Sequence, residues 1–357
     1  MAEKLRVALI GTGSMAQRHV NAFKSNPLVD LVAVCDANLE RAKNVAQSNG
    51  IGIYCSDYME LLKNEDIDAV SVVTPTFTHK QIVLDALNHG KHVLCEKPPA
   101  LNEEQVRECE AAAAKAGKVL MYAFVMRFSQ NINFLKDYIA SGALGDIVSV
   151  DVQRLLRCSK LGGWFVDKEK SGGGQLMDAA IHQVDAALYL MGHPAIKTVR
   201  GFTSYANSDL PEKMKGLGGT WVSADNQTVK RTVESMASAY VTFENDCYMY
   251  VKASLILNTV EEGTFIDICG TKGGIRLTGG SAGSIKLVKV DESGYFLEST
   301  PVLTAKVDAF SSEMNHFVDC CVKGVECISP AKDGAEVLKL ITAIYQSAEK
   351  GEEIRFS

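Results

Sequence analysis

The sequence of 357 residues has no long apolar run and no excess of positive charge. No apolar stretch approaches the about 18 residues that a helix needs to cross a bilayer. Lys and Arg number 37 against 43 Asp and Glu, which gives a net charge of −6. Nucleic-acid-binding proteins need a basic surface, and this chain has no Lys/Arg-rich cluster. We therefore expect neither membrane insertion nor a nucleic-acid partner.

Cysteine pairs with the spacing of metal or redox motifs are also missing. None of the ten cysteines belongs to a C-x-x-C motif, which argues against a metal site or a disulfide framework. The first four residues lead directly into an apolar strand, so we expect no signal peptide. We therefore expect reduced thiols, no bound metal and a cytoplasmic location.

The length favours two domains, because single cores usually stop growing at roughly 250–300 residues. Residues 1–123 repeat short apolar runs and helical stretches, which is typical of a parallel sheet with helices on both faces. From 195 to 300 long alternating strands dominate instead. We predict an α/β protein with a doubly wound, Rossmann-type parallel sheet at 1–123. An α+β domain with a large, mostly antiparallel open sheet is expected at 124–357.

The most informative motif joins the first predicted strand to the first helix. An apolar run at 5–10 leads into GTGSMA at 11–16, and a second apolar run ends on Asp36, 20 residues beyond Ala16. This is the G-x-G-x-x-A turn of a dinucleotide-binding βαβ unit, whose terminal acid can hold ribose hydroxyls. A glycine turn that holds no ligand is the alternative. We predict NAD as the cofactor, with contacts from Gly11, Thr12, Gly13, Ser14, Met15 and Asp36.

Further cofactor contacts are expected where the predicted parallel strands end, because ligands of doubly wound sheets bind at that edge. The strand at 69–73 is followed by Thr74 and Pro75, and the strand at 92–95 by Glu96-Lys97-Pro98. Lys97 would point into the crevice of the nicotinamide, although most lysines are solvated surface charges. The cofactor-binding set therefore also includes Thr74, Pro75, His79, Glu96 and Lys97.

A second motif lies in a helix predicted over 174–191. Asp178 and His182 are four residues apart and Asp185 is three further on, so the three side chains should share one helix face. A carboxylate beside an imidazole can orient the ring and raise its basicity, which suits acid–base catalysis. A structural hydrogen-bond network explains the same pattern equally well. A metal site is less favoured, because no third ligand stands at a compatible spacing.

Together these motifs resemble the Gfo/Idh/MocA oxidoreductases. The resemblance rests on GTGSMA, Asp36, the EKP at 96–98 and the segment GGGQLMDAAIHQVD at 172–185, with Ala180 where the family often has glycine. It implies that Lys97 is the EKP lysine and that Asp178 and His182 are the D-x-x-x-H pair. It also implies a Rossmann domain followed by an α/β domain with an open sheet that commonly serves as an oligomer interface.

The predicted activity is NAD-dependent oxidation of a secondary alcohol of a sugar, cyclitol or glycoside, or the reverse reduction. His182 would take the hydroxyl proton, Lys97 would stabilise charge on the oxygen, and Asp178 would orient His182 or hold a neighbouring hydroxyl. Which of Lys97 and His182 is the formal base stays open. One alternative is a glycosidase or lyase that oxidises its substrate only transiently. A nonenzymatic NAD-linked regulator is another, although it would not need both Lys97 and His182.

Two further residues are candidates for substrate binding. Arg127 follows a predicted strand, and an ordinary surface arginine is an equally good interpretation. Trp164 lies in a loop predicted over 157–172, where it could stack on a sugar ring or simply cover the core.

The predicted open sheet also suggests self-association into a dimer or tetramer. Its strands carry aromatic and aliphatic residues on both faces, and only one face can cover the helices of its own domain. The candidates for one face or the other are Tyr240, Met249, Val251 and Leu255. A moderately apolar free face is the alternative. A polar, glycine-rich excursion is expected at 208–231.

Overall fold

A computed structural model of the chain describes residues 4–210, 219–222, 230–280, 282–305 and 307–356. Most of the excursion predicted at 208–231 lies outside these described residues. The chain forms two compact units, Met1–Phe128 with Asp308–Ala335 and Ser129–Val307 with Glu336–Ser357. The division into consecutive domains at 123/124 stays a prediction.

The first unit is built on a six-stranded parallel sheet in the order β3-β2-β1-β4-β5-β6. Helices cover both faces of such a sheet, so its strands are mostly apolar, and all four residues of the fourth strand are buried. The doubly wound topology confirms the predicted Rossmann-type fold. The strands are Leu5–Ile10 (β1), Val29–Cys35 (β2), Ile53–Cys55 (β3), Ala69–Val72 (β4), His92–Cys95 (β5) and Leu120–Tyr122 (β6).

Five helices alternate with these strands, and polar side chains cap the start of three of them. Asn38 accepts a hydrogen bond from the N–H of Arg41, and Asn102 accepts one from the N–H of Gln105. Asp57 caps the helix Tyr58–Leu62 by accepting a hydrogen bond from the N–H of Met59. The helices are Ala16–Ser25 (α1), Leu39–Asn49 (α2), Tyr58–Leu62 (α3), Thr76–Asn88 (α4) and Glu103–Ala116 (α5).

A nine-stranded sheet forms the second unit, in the order β16-β15-β14-β13-β7-β12-β11-β9-β17, and β8 pairs with β10 separately. Within the nine-stranded sheet only β7 and β12 run parallel among the described strands, which confirms the predicted mostly antiparallel sheet. The strands are Ile147–Leu155 (β7), Lys160–Gly162 (β8), Ile196–Ser204 (β9), Gly219–Val222 (β10), Met236–Phe243 (β11), Tyr248–Ser254 (β12), Gly263–Gly270 (β13), Gly273–Thr278 (β14), Ser284–Val290 (β15), Phe296–Ser299 (β16) and Ile354–Arg355 (β17).

Burial alternates along the central strands of this sheet. Val241 and Phe243 are fully buried, whereas Tyr240, which precedes Val241, is 36% exposed. Met249 and Val251 on β12 are buried on the same inner face, and Tyr250 is 51% exposed on the other. One face therefore packs into the unit and the other presents tyrosines.

The prediction of one continuous helix over 174–191 is wrong, because the structure has two separate helices there. The N–H of Ala180 bonds to the oxygen of Gln175, five residues back, at 2.8 Å, and the N–H of His182 bonds to Ala179, three back, at 3.3 Å. This shift in the hydrogen-bond ladder interrupts the helix between Asp178 and His182. The helices of this part of the chain are Gln130–Ala140 (α6), Lys168–Ser171 (α7), Gln175–Asp178 (α8) and Ile181–Met191 (α9).

The segment predicted as a loop at 157–172 also has more structure than expected. It holds β8, a 3₁₀ turn at Gly163–Val166 and the short helix α7. Val166 and Leu161 join a small buried cluster with Val233, Leu255 and Ile256, which explains why this polar segment is ordered.

Two long helices follow the second sheet, Ala309–Lys323 (α10) and Ala331–Lys350 (α11). α10 belongs to the first unit, since its Met314, Phe317 and Val318 are fully buried in the same cluster as the inner residues of β1. α11 begins in the first unit and continues into the second. None of the helices in the described ranges combines the length and apolar character needed to cross a bilayer.

Candidate functional site

The glycine loop after β1 is held in a shape that only glycine adopts readily. Gly11 has φ +100°, and a Cβ atom there would collide with the carbonyl oxygen of Val73. The loop therefore lies directly against the end of β4. This matches the tight turn that the motif predicts.

The next residues of the loop face open space. A Cβ atom at Gly13 would meet nothing within 4 Å, and both Gly13 and Ser14 are exposed. Among the described residues, their N–H groups have no hydrogen-bond partner. Met15 precedes α1 without a side-chain cap, so the positive end of that helix is also available to an anion.

Asp36 ties this loop to the end of β2. Its Oδ2 accepts from the N–H of Thr12 at 2.9 Å and from the Thr12 hydroxyl at 2.7 Å. Its Oδ1 accepts from the N–H of Asn38 at 2.9 Å. The carboxylate is thus fixed beside the loop, where an acid that contacts ribose belongs.

Behind Lys97 lies a buried hydrogen-bond network that the sequence did not reveal. The ring of His19 is fully buried, with Nδ1 2.9 Å from the Ser71 hydroxyl and Nε2 2.9 Å from Oε1 of Glu96. The second oxygen of Glu96 accepts from the N–H of Lys97 at 3.1 Å. The network links α1, β4 and the residue after β5, and it holds the backbone at Lys97. His19 lies on the buried face of α1, and no local sequence pattern predicts its hydrogen bonds to distant residues.

A second buried histidine, His79, contacts the segments that follow β4 and β5. Nδ1 of His79 lies 2.8 Å from the carbonyl oxygen of Pro98, and Nε2 lies 2.8 Å from that of Thr74. Burial lowers the pKa of His79, although both carbonyls oppose the shift. Thr74 and Pro75 are partly exposed at the end of β4. The structure therefore uses His79 to join the segments after β4 and β5, and its contact with the cofactor stays a prediction.

Asp178 and His182 lie in the second unit, on either side of the helix break, and both are partly exposed. Asp185, predicted on the same face, is fully buried. Burial lowers the pKa of Arg154 on β7, and the negative charge of Asp178 opposes that shift. Arg154 is therefore a cation close to Asp178 that sequence reasoning missed, since nothing local distinguishes it.

The glycines before α8 are sites of close packing. A Cβ atom at Gly173 would collide with the Tyr345 hydroxyl, and one at Gly174 would lie 2.6 Å from the carbonyl oxygen of Glu234. The Glu234 carboxylate is fully buried and accepts from the N–H of Gly174 and the hydroxyl of Tyr345, both at 2.8 Å. Burial raises the pKa of Glu234. This cluster fixes the start of α8 and so the position of Asp178.

The two candidates for substrate binding have different surroundings. Arg127 is fully buried in the first unit, and its guanidinium donates to Ile328 O at 2.7 Å and to Asp333 at 2.5 Å. These contacts favour a structural role for Arg127. Trp164 is partly exposed and stacks on Phe165, with ring centroids 3.9 Å apart. Substrate binding by either residue stays a prediction.

A doubly wound sheet, an open glycine turn and a fixed acid after β2 define a dinucleotide-binding protein. Family models agree with this class. The model described as "Oxidoreductase family, NAD-binding Rossmann fold" of GFO_IDH_MocA matches residues 5–124, and that of its "C-terminal alpha/beta domain" matches 136–356. The chain belongs to the Gfo/Idh/MocA oxidoreductase family.

Individual relatives extend over the whole chain. D-glucoside 3-dehydrogenase of Escherichia coli K12 is 33% identical over 353 residues, 98% of this chain and 97% of the relative. Inositol 2-dehydrogenase of Rhizobium meliloti is 27% identical over 355 residues, 98% of each chain. Levoglucosan dehydrogenase in complex with NADH and L-sorbose shares the fold with a TM-score of 0.84 at 24% identity, covering 99% of each chain.

The residues present fit NAD as the cofactor. Gly13 leaves the space that a side chain would fill, and the open N–H groups of Gly13 and Ser14 suit a pyrophosphate. Asp36 offers a carboxylate at the ribose position, and the four residues after it, Ala37-Asn38-Leu39-Glu40, include no cation before Arg41.

Proposed function

We propose that this protein is an NAD-dependent dehydrogenase that transfers a hydride between nicotinamide and a secondary alcohol or ketone of a sugar, cyclitol or glycoside. The observation that carries the proposal is the 33% identity to a D-glucoside 3-dehydrogenase along nearly the full length of both chains. The inositol 2-dehydrogenase relative supports the same substrate class, because both act on ring-borne secondary alcohols.

Two side chains are proposed to act on the reacting alcohol, with NAD supplying the hydride acceptor. His182 accepts the hydroxyl proton, for which an imidazole is suited near neutral pH. Lys97 donates a hydrogen bond to the substrate oxygen and stabilises the negative charge that develops there. Its backbone N–H donates to Glu96, which supports a fixed main chain at this position.

Three further side chains are proposed to contact the substrate without taking part in proton transfer. Asp178 orients His182 or accepts from a neighbouring hydroxyl, and the rigid cluster of Glu234 and Tyr345 supports this role by fixing the start of α8. Trp164 presents an aromatic face to a sugar ring. Arg127 is retained in the proposed set, although its buried ion pair gives it the weakest support.

The proposal includes a preference for NAD over NADP. The Asp36 carboxylate is anchored by Thr12 and Asn38, so it cannot easily turn away from a 2′-phosphate and would repel it. Steady-state kinetics with both cofactors measures this preference. Equal or better kcat/KM with NADPH would contradict it.

A panel of aldoses, inositols and glycosides with NAD, followed by near-UV absorbance of NADH, tests the activity. We expect net NADH formation with at least one of these alcohols and none with the His182→Asn variant. Product analysis on the same panel separates the alternatives, because a glycosidase or lyase would cleave its substrate without net NADH. Cleavage without net reduction of NAD would replace the dehydrogenase proposal.

We also propose a homo-oligomer, dimer or tetramer, formed through the outer face of the nine-stranded sheet. Tyr240 and Tyr250 are 36% and 51% exposed there, with ring centroids 5.0 Å apart, and Phe202 is 54% exposed on the neighbouring strand. An aromatic patch of this kind is typical of protein interfaces. All ten cysteines are free, which supports the proposed cytoplasmic location.

A further inference from the structure

Three side-chain atoms of the kind that bind transition metals come together in the first unit, on α10 and the segment that follows it. One nitrogen of His316 and the sulfurs of Cys320 and Cys327 all lie within 4.8 Å of one another. His316 and Cys320 are four residues apart on α10, so they share one face of the helix. α10 ends at Gly324, which adopts φ +66°, and the chain then returns to bring Cys327 beside them.

The hydrogen bonds of the cluster place His316 beside Cys320. The N–H of Ile328 donates to Nε2 of His316 at 3.0 Å, so this nitrogen is an acceptor and the ring proton belongs on Nδ1. The same Nε2 lies 3.4 Å from Sγ of Cys320. The thiol of Cys320 therefore competes with the N–H of Ile328 for the one lone pair of this nitrogen.

The two thiols of the cluster differ in acidity. A hydrogen bond from Cys327 lowers the pKa of Cys320, although burial opposes the shift. The same bond raises the pKa of Cys327, and burial raises it further. A more acidic thiol beside a less acidic one is the arrangement of a nucleophilic cysteine and the cysteine that resolves it. Cys320 is 5% exposed, so only a very small reagent reaches it.

A metal ion fits this cluster less well than an oxidant does. Structural zinc takes four protein ligands, and only three atoms meet here among the described residues. A metal at Nε2 would also displace the hydrogen bond from Ile328. Oxidation of the two sulfurs requires no fourth ligand.

We propose that Cys320 and Cys327 form a peroxide-oxidised thiol pair that closes to a disulfide. In the first step Sγ of Cys320 attacks one peroxide oxygen as Nε2 of His316 gives up its hydrogen bond from Ile328 N–H and takes the thiol proton. The O–O bond breaks, Cys320 becomes a sulfenic acid, and the proton passes to the departing oxygen, which leaves as water or an alcohol. In the second step Cys327 attacks that sulfur, and its thiol proton leaves with the hydroxyl group as water. The two sulfurs together lose two electrons, which reduce the peroxide.

Thiol mapping of the full-length protein tests this proposal. Reduced protein in EDTA is treated with hydrogen peroxide, unfolded, alkylated and digested for mass spectrometry. We expect a cross-linked peptide pair that contains Cys320 and Cys327 and has lost two hydrogen atoms, and reduction by dithiothreitol should reverse it. If both residues are alkylated as fully as before, at a peroxide dose that oxidises the exposed Cys269, the proposal is wrong.

Variants assign the steps to single residues. Cys327→Ser should leave a sulfenic acid on Cys320 that dimedone traps, and Cys320→Ser should remove both products. His316→Gln should slow oxidation at least about tenfold, because it removes the base. Cys321→Ser is the matched control, since it changes the adjacent thiol and should leave the cross-link unchanged. A cross-link that requires Cys321 instead would overturn the assignment.

Discussion

Replacing His19 by leucine should weaken the first unit and disturb Lys97, because His19 joins Ser71 to Glu96 inside the sheet–helix interface. Leucine is of similar size, so the change removes hydrogen bonds without opening a large cavity. The bond to Ser71 contributes about 1 kcal/mol, and the bond to a carboxylate contributes about 2 kcal/mol. We therefore expect His19→Leu to lower the free energy of unfolding by about 3 kcal/mol.

The assay has to report on the unit that contains the change, since a chain with two units need not unfold in one step. Urea unfolding followed by hydrogen exchange of peptides from α1 and β5 gives this local resolution. His89→Leu is the matched control, because His89 is exposed at the end of α4 and its replacement should cost less than about 0.5 kcal/mol.

A double-mutant cycle separates the His19–Glu96 interaction from general damage. His19→Leu and Glu96→Gln should be coupled by about 1–2 kcal/mol, as is usual for groups in one buried network. We also expect kcat of His19→Leu to fall more than its affinity for NAD, because Glu96 holds the N–H of Lys97. A loss of stability no greater than that of the His89 control, or strict additivity in the cycle, would refute the reasoning.

Catalysis, acid stability and assembly provide further tests. Lys97→Met and His182→Asn should each lower kcat at least about 10²-fold with nearly unchanged NAD affinity, and a folded variant with normal turnover would exclude that residue. Burial lowers the pKa of His92 to about 4. The unfolded chain takes up this proton near pH 6.5 and the folded chain does not, so stability should fall as the pH drops from about 6.5 towards 4. His92→Gln should reduce the change with pH of the free energy of unfolding in urea, and His89→Gln should not. If the unaltered protein and both variants show the same pH dependence, the role assigned to His92 is wrong. Light scattering should give a molar mass that is a multiple of the 38.6 kDa of one chain, and Tyr250→Glu should lower this mass. A monomer of the unaltered protein at micromolar concentration would disprove the proposed interface.

The first unit could be predicted closely because its signals are local. β1 and β5 have the predicted bounds, since each is a short apolar run that ends at a glycine or a polar residue. Helix α5 has local signals of the same kind, because it runs from 103 to 116 between the cap Asn102 and Gly117. Elements whose bounds depend on residues near them in the sequence could therefore be predicted from the sequence.

Contacts between distant segments were not predictable in the same way. α10 packs on the first sheet although nearly 200 residues separate it from β6, and its amphipathic pattern does not say which sheet it covers. His19 and Glu96 are 77 residues apart, and neither carries a local mark of their pairing. The break between α8 and α9 contains two alanines, the best helix formers, so propensity predicts a continuous helix there.

The glycine run at 172–174 shows how one signal can have two physical causes. A sequence interpretation takes consecutive glycines as loop residues that need unusual dihedral angles. At Gly173 and Gly174 the requirement is space, because Tyr345 and the backbone of Glu234 occupy the positions where side chains would lie. Those neighbours come from α11 and from the segment before β11, so their approach is a tertiary effect. Alanine at either position should therefore displace the start of α8, and with it Asp178.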